Sequence, residues 1–217
     1  MACPDGSILL RNAARWRGAR VGLLGGSFNP AHAGHRHISV EAMKRLRLDA
    51  VWWLVSPGNP LKADRTDMAP LAARLGSARQ VARHPAIMPT GVEARLGTRY
   101  TVDTLASLTR LHPTTRFIWL MGGDNLQQFH RWKGWRTIAR LVPIAVLLRP
   151  GYAGACRAAK VLGPLRPRIR PARQAFRWCS WRLPAVVCLD QPGIDLSSTM
   201  VRKADPAWAA RHGRPAK

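Results

Sequence analysis

Residues 21–46 read VGLLGGSFNPAHAGHRHISVEAMKRL, and this stretch decides the fold. It opens as an apolar run, Val21 to Leu24, and breaks at the paired glycines Gly25 and Gly26. After Gly34 it resumes with Ile38, Ala42, Met43 and Leu46 spaced to share one helix face. A strand, a glycine turn and a helix make a phosphate-binding geometry. Adjacent glycines let a phosphate approach the main chain, and the amides and dipole at the helix start favour negative charge. The stretch is neither the GxGxxG dinucleotide fingerprint nor a P-loop, because no Gly-Lys-Ser/Thr follows.

The same alternation continues outward. Ala50 to Val55, Ile87 to Pro89, Phe117 to Met121, Ile144 to Leu148 and Val186 to Leu189 read as further strands. Helical spacing marks Gly34 to Leu46, Leu71 to Arg83, Thr101 to Leu111 and Asn125 to Leu141. The strands are nearly continuous hydrophobic runs, as in buried parallel sheets covered by helices on both faces. The expected fold class is therefore α/β: a Rossmann-like doubly wound, mostly parallel sheet with helices on both faces. Such sheets bind ligands outside the carboxyl ends of their strands, where the turns at Gly25 and Gly122 should both lie. A last helix is expected from near Ser198 towards Arg211, with Ser197 or Ser198 as its cap.

At 217 residues the chain reads as a single domain, residues 20–217, following a basic N-terminal extension, residues 1–19. An irregular Arg/Pro-rich segment occupies 151–184. Hydrophobic residues make up 47% and charged residues 21%, which argues against collagen and disorder. The longest apolar run, Leu141 to Leu148, contains Pro143 and falls far short of the ~18 residues of a membrane span. Cys3, Cys156, Cys179 and Cys188 form no CxxC pair and fit neither a zinc site nor a disulfide framework, so they read as free thiols of a cytoplasmic protein. The first residues lack the apolar core of a secretory signal.

The chain carries 35 basic and 11 acidic residues, a net charge of +24, and only Lys44, Lys62, Lys133, Lys160, Lys203 and Lys217 of the basic residues are lysine. No acid occurs between Asn125 and Leu189. Two readings stand: a basic face for phosphate substrates or nucleic acid, or arginine used as the default basic residue.

His32 and His35 flank Gly34 at the helix start, so both imidazoles can turn towards one anion, while His37 falls on another face. In this respect the chain resembles the HxGH nucleotidylyltransferases, and within them the bacterial nicotinate-nucleotide adenylyltransferases of NAD synthesis. The resemblance covers most of the chain. The family opening GG(T/S)FxPxHxGH stands as Gly25 to His35, and a closing ISSTxxR-like motif as Leu196, Ser197, Ser198, Thr199, Met200, Val201 and Arg202. Ser27 and Asn29 replace the commoner threonine and aspartate. The segment 151–184 departs most, and no family residue maps onto it.

The resemblance implies transfer of AMP from ATP to nicotinate mononucleotide, with Mg2+ carried on the ATP phosphates. It implies that His32 and His35 stabilise charge at the α-phosphate, within an ATP site of Gly25, Gly26, Ser27, Phe28, Asn29, Lys62, Gly122, Asp124, Ser198, Thr199 and Arg202. Lys62 alone would read as a solvated lysine, and Asp124, in Gly122-Gly123-Asp124, also suits a helix cap. Tyr100, Thr101, Asp124 and Trp132 are the implied acceptor residues, Trp132 stacking on the pyridine ring. Rival readings are a relative using nicotinamide mononucleotide or a pantetheine phosphate and, more remotely, a nucleic-acid-binding protein. No membrane partner is expected, and whether the chain forms a homo-oligomer stays open.

Overall fold

The computed structural model describes residues 13–58, 68–148, 159–190, 198–205 and 207–208. Seven strands form one sheet: β1 (Arg20–Gly26), β2 (Ala50–Val55), β3 (Ile87–Thr90), β4 (Arg116–Gly122), β5 (Ile144–Leu148), β6 (Ile169–Arg170) and β7 (Val186–Asp190). Their order is β3-β2-β1-β4-β5-β7-β6, and every neighbouring pair is parallel. The helices are α1 (Ala33–Leu46), α2 (Leu71–Ala82), α3 (Val92–Leu96), α4 (Thr101–Leu111), α5 (Gly123–Gln128), α6 (Trp135–Leu141), α7 (Leu162–Leu165) and α8 (Ser198–Ala204).

The apolar runs are strands because both of their faces are covered. Every residue of β2 and of β5 is buried. Adjacent Trp52 and Trp53 point to opposite sides, as the two-residue period of a strand requires. Trp52 joins a core layer with Leu105 and Leu108 of α4 and Ile138 of α6. Trp53 joins the other layer, with Ala42 and Leu46 of α1 and Leu75 and Ala78 of α2. α1 and α6 thus cover opposite faces, and the chain reverses its winding direction between adjacent β1 and β4. Leu24 pairs with Leu120, which sets the glycine ends of these two strands side by side at the crevice of the sheet.

Each expected strand is present, two at their expected bounds and four longer by one to three residues, and the sheet is wholly parallel. The expected helix Asn125 to Leu141 is broken: α5 starts at Gly123, a 3-10 turn follows at Phe129–Arg131, and Gly134 at φ 64° resets the chain before α6. A Cβ on Gly134 would press on Val102 of α4, so the break brings α4 close. The last described helix ends at Ala204, and Arg211 lies outside the described residues.

The described part of the Arg/Pro-rich segment is packed rather than loose. It holds α7, edge strand β6 and a 3-10 helix, Ala172–Ser180, in which Trp178 is buried and donates from Nε1 to the carbonyl of Leu46 at 2.9 Å. Within the segment read as the N-terminal extension, a 3-10 turn at Ala13–Trp16 sets Trp16 edge-on to Trp52, with ring centroids 5.1 Å apart. Among the described residues no helix is long and apolar enough to cross a membrane.

Candidate active site

The turn leaving β1 is built around aromatic packing. A Cβ on Gly25 would collide with the Trp119 indole, so this glycine is required by its neighbour on β4. Phe28, buried and at φ 47°, stacks on Trp53 with centroids 5.1 Å apart and touches His35 at 4.6 Å. The ring of His32, itself buried, lies 3.8 Å from that of His35 and adds a tilted contact to this aromatic cluster. The Asn29–Pro30 bond is cis.

His32 is the N-cap of α1, in extended conformation, and its main-chain N–H donates to Nδ1 of His35 at 3.2 Å. Because Nδ1 accepts, the proton of a neutral His35 ring sits on Nε2. The first turn is fixed from below: Trp53 Nε1 donates to Ser39 Oγ at 2.8 Å, and that hydroxyl donates to the carbonyl of His35 at 2.8 Å. No acidic side chain stands in the first turn, so nothing there offsets the positive end of the helix.

The N-terminal and C-terminal motifs touch. Ser198 Oγ donates to the carbonyl of Pro30 at 3.1 Å, and Arg202 Nη1 donates to the carbonyl of Asn29 at 2.6 Å. Arg202 Nη2 also reaches Thr199 Oγ1 at 3.3 Å. Asn29 is buried, and its Oδ1 accepts from the N–H of Ala69 at 3.1 Å, so its side chain ties the turn to the segment before α2. Ser27 is half-buried on the turn. Lys62 lies outside the described residues, as do Leu196 and Ser197.

Across the crevice, Gly122 is the N-cap of α5, and a Cβ there would meet nothing within 4 Å. Asp124 stands exposed in the first turn, not at the cap position itself. Trp132 is half-buried, edge-on to Phe129 at 5.4 Å and to Trp119 at 6.2 Å. Trp119 therefore links the glycine turn of β1 to Trp132. Tyr100 caps α4 with Thr101 as its first residue, and Lys133 Nζ sits 4.2 Å from the Tyr100 ring centroid. The segments carrying Tyr100, Thr101 and Trp132 are thus neighbours.

Sequence reasoning missed two buried polar groups. Thr104 Oγ1 lies 3.2 Å from Glu93 Oε1 and 2.8 Å from Thr98 Oγ1, a network beneath the loop that carries Tyr100. Burial pushes the Glu93 carboxyl up to about 7, against a smaller lowering effect of the Thr104 hydrogen bond. The other is Arg74, 1% exposed, which donates to the main-chain carbonyls of Ser27, Ser56 and Ala69. Its sequence signal was a charge in register with apolar Leu71, Leu75 and Ala78.

A family model described as cytidylyltransferase-like matches residues 23–204. A protein of Erythrobacter litoralis, named probable nicotinate-nucleotide adenylyltransferase, is 52% identical over 193 residues, covering 89% of this chain and 88% of its own. A Cereibacter sphaeroides protein of the same name is 55% identical over 185 residues, covering 84% of this chain and 96% of its own. The chain belongs to the nicotinate-nucleotide adenylyltransferase family. It is accordingly a nucleotidyltransferase. Among solved structures, Plasmodium falciparum nicotinic acid mononucleotide adenylyltransferase complexed with NaAD superposes with TM-score 0.62 at 15% identity, covering 91% of each chain. At that identity the likeness is one of fold, and it places this adenylyltransferase-family chain in the expected Rossmann-like class.

Proposed function

We propose that the protein transfers the adenylyl group of ATP to nicotinate mononucleotide, giving deamido-NAD and pyrophosphate. The observation that carries this reading is the meeting of the two motifs: His32 and His35, with rings 3.8 Å apart, stand beside the Asn29–Pro30 turn on which Ser198 and Arg202 dock. A surface of imidazoles, main-chain amides, a hydroxyl and a guanidinium suits a triphosphate.

In this reaction a phosphate oxygen of nicotinate mononucleotide attacks the α-phosphorus of ATP. A new P–O bond forms as the bond from the α-phosphorus to the bridging oxygen breaks, and pyrophosphate leaves with the electron pair. Catalysis of this kind is positioning plus electrostatic stabilisation. His35, as an Nε2 donor, and His32 stabilise the charge growing on the α-phosphate, without a covalent intermediate. The turn from Gly25 to Asn29 cradles the phosphates, and Lys62, Ser198, Thr199 and Arg202 hold the outer ones. Gly122 leaves room for the nucleotide, and Asp124 accepts from a ribose hydroxyl. Trp132 stacks on the pyridine ring while Tyr100 and Thr101 offer main-chain groups to its carboxylate.

Among the described residues no three His, Cys, Asp or Glu side chains converge to hold a metal. The donor set at the site fits an anion, so Mg2+ would arrive on the ATP phosphates rather than in a protein cage. A cytoplasmic location agrees with both substrates.

The test is pyrophosphate release from magnesium ATP with nicotinate mononucleotide, nicotinamide mononucleotide or phosphopantetheine offered separately. Preference for the nicotinate form supports the proposal. Preference for another acceptor overturns the assignment of Tyr100, Thr101 and Trp132, and no release with any of them overturns the reaction.

A further inference from the structure

Arg74 lies in the first turn of α2, on the face that packs against the sheet. A guanidinium in that position needs a reason, because a buried cation loses its hydration and recovers it only through partners. Its partners are all main-chain carbonyls. Nε donates to Ala69 at 2.7 Å, Nη1 to Ser27 at 2.8 Å and to Ser56 at 2.6 Å, and Nη2 to Pro57 at 3.3 Å. Among the described residues no carboxylate pairs with it, and burial alone lowers its pKa.

These carbonyls are not scattered. Ser27 belongs to the turn leaving β1, Ser56 and Pro57 to the turn leaving β2, and Ala69 to the approach to α2. Arg74 therefore fastens the phosphate turn to both flanks of the segment 59–67, within which Lys62 falls in sequence. In a trans peptide the carbonyl and the following N–H point to opposite edges. Holding the Ser27 oxygen inward turns the Phe28 N–H outward, and holding the Pro57 oxygen inward does the same for the Gly58 N–H. One side chain so orients two amide donors on two different loops. The charge matters as well: a cation with no internal counter-charge, directly beneath an anion-binding turn, is neutralised when the anion arrives, and at low local dielectric that attraction is strong.

We infer that Arg74 is a positioning residue for ATP, a buried cation that aims the Phe28 and Gly58 amides at the triphosphate and is electrically balanced by it. The inference rests on the site being one for ATP. A purely structural arginine would differ in what its loss does. It would lower thermal stability without altering the affinity of the folded protein for phosphates.

Equilibrium binding of the non-hydrolysable ATP analogue with magnesium, and of inorganic tripolyphosphate, distinguishes the two using wild type, Arg74→Lys and Arg74→Met. Lysine keeps the charge but cannot reach four carbonyls, and methionine keeps length without charge. Arg74→Lys is expected to weaken both ligands about tenfold and Arg74→Met more, with KM for nicotinate mononucleotide changed less than about twofold. Variants that lose melting temperature but bind both ligands as wild type does overturn the inference and leave the proposed function standing. A wild type that binds neither ligand overturns both. A measurement that needs no variant is amide exchange in wild type: tripolyphosphate should slow exchange at Phe28 and Gly58. Unchanged exchange at both, with the ligand bound, overturns the inference even if the variants fail to fold.

Discussion

Arg202 donates to the main-chain carbonyl of Asn29 at 2.6 Å, joining residues separated by 173 positions. Ser198 makes the parallel contact to Pro30. The C-terminal helix therefore holds the backbone of the turn that precedes His32, and its side chains reach the site already oriented. A charge-assisted bond of this kind outweighs a neutral one about twofold. Arg202→Ala should raise KM for ATP about tenfold or more, and Ser198→Ala by less. Steady-state kinetics beside melting curves will check this, and a loss of melting temperature with KM for ATP unchanged would reduce Arg202 to a structural tie.

His35 is held by the His32 N–H on one side and by Ser39 through its own carbonyl on the other. Removing the ring deletes the Nε2 donor while the Ser39 contact to the main chain survives. His35→Ala should therefore lower kcat by roughly a hundred- to a thousandfold, the range found for losing an electrostatic stabiliser, with the fold intact. Turnover near the wild-type rate would sink the catalytic role.

Trp132 has a mixed character. Its edge contacts with Phe129 and Trp119 tie it to the core, yet it remains half-buried beside the crevice. Trp132→Ala should cost stability by about 1 to 3 kcal/mol and raise KM for the acceptor, with KM for ATP little changed. Trp132→Phe should restore most of both. Unfolding of the alanine variant, or equal effects on both substrates, would assign Trp132 to the core.

Glu93 predicts a pH signature. Its folded carboxyl titrates near 7, above its ordinary value of 4.5, because burial disfavours the charged form. Between those values the folded protein keeps a proton that the unfolded chain has released. The stabilisation is full below pH 4.5 and is lost as pH rises towards 7, leaving a constant penalty above. Glu93→Gln keeps an acceptor for Thr104 and removes the penalty, so at pH 8 it should be more stable than wild type by about 1 to 3 kcal/mol. Near pH 4.5 the advantage should vanish. His112, buried between Trp52 and Phe117 with its pKa lowered by burial, weakens the protein in acid in the opposite sense. The difference between variant and wild type in urea at pH 5 and pH 8 isolates Glu93, and an equal difference at both would show that it stays ionised.

The sheet was legible because its strands are apolar on both faces, which no half-exposed strand imitates. The glycine turn and both histidines were legible because their spacing is local. What escaped the sequence depended on distant partners. Gly134 reads as a tolerated helix glycine until Val102 is found beneath it. β6 is only two residues long and owes its existence to β7. Trp178 sits in an arginine-rich stretch, and only its bond to Leu46 reveals a packed face. Arg74 falls in register with apolar Leu71, Leu75 and Ala78 and Glu93 carries no such mark, yet burial of a single polar residue on a helix is decided by what packs over it.

The contact between Arg202 and Asn29 also orders events during synthesis. At about 5 to 20 residues per second, the turn at Asn29 emerges from the ribosome on the order of ten seconds or more before Arg202. A nascent chain can build the turn and seat both histidines, yet it holds only half of the proposed phosphate grip until Arg202 has emerged. If Arg202 has the proposed role, chain topology makes adenylyl transfer wait until its helix has emerged and docked on the turn.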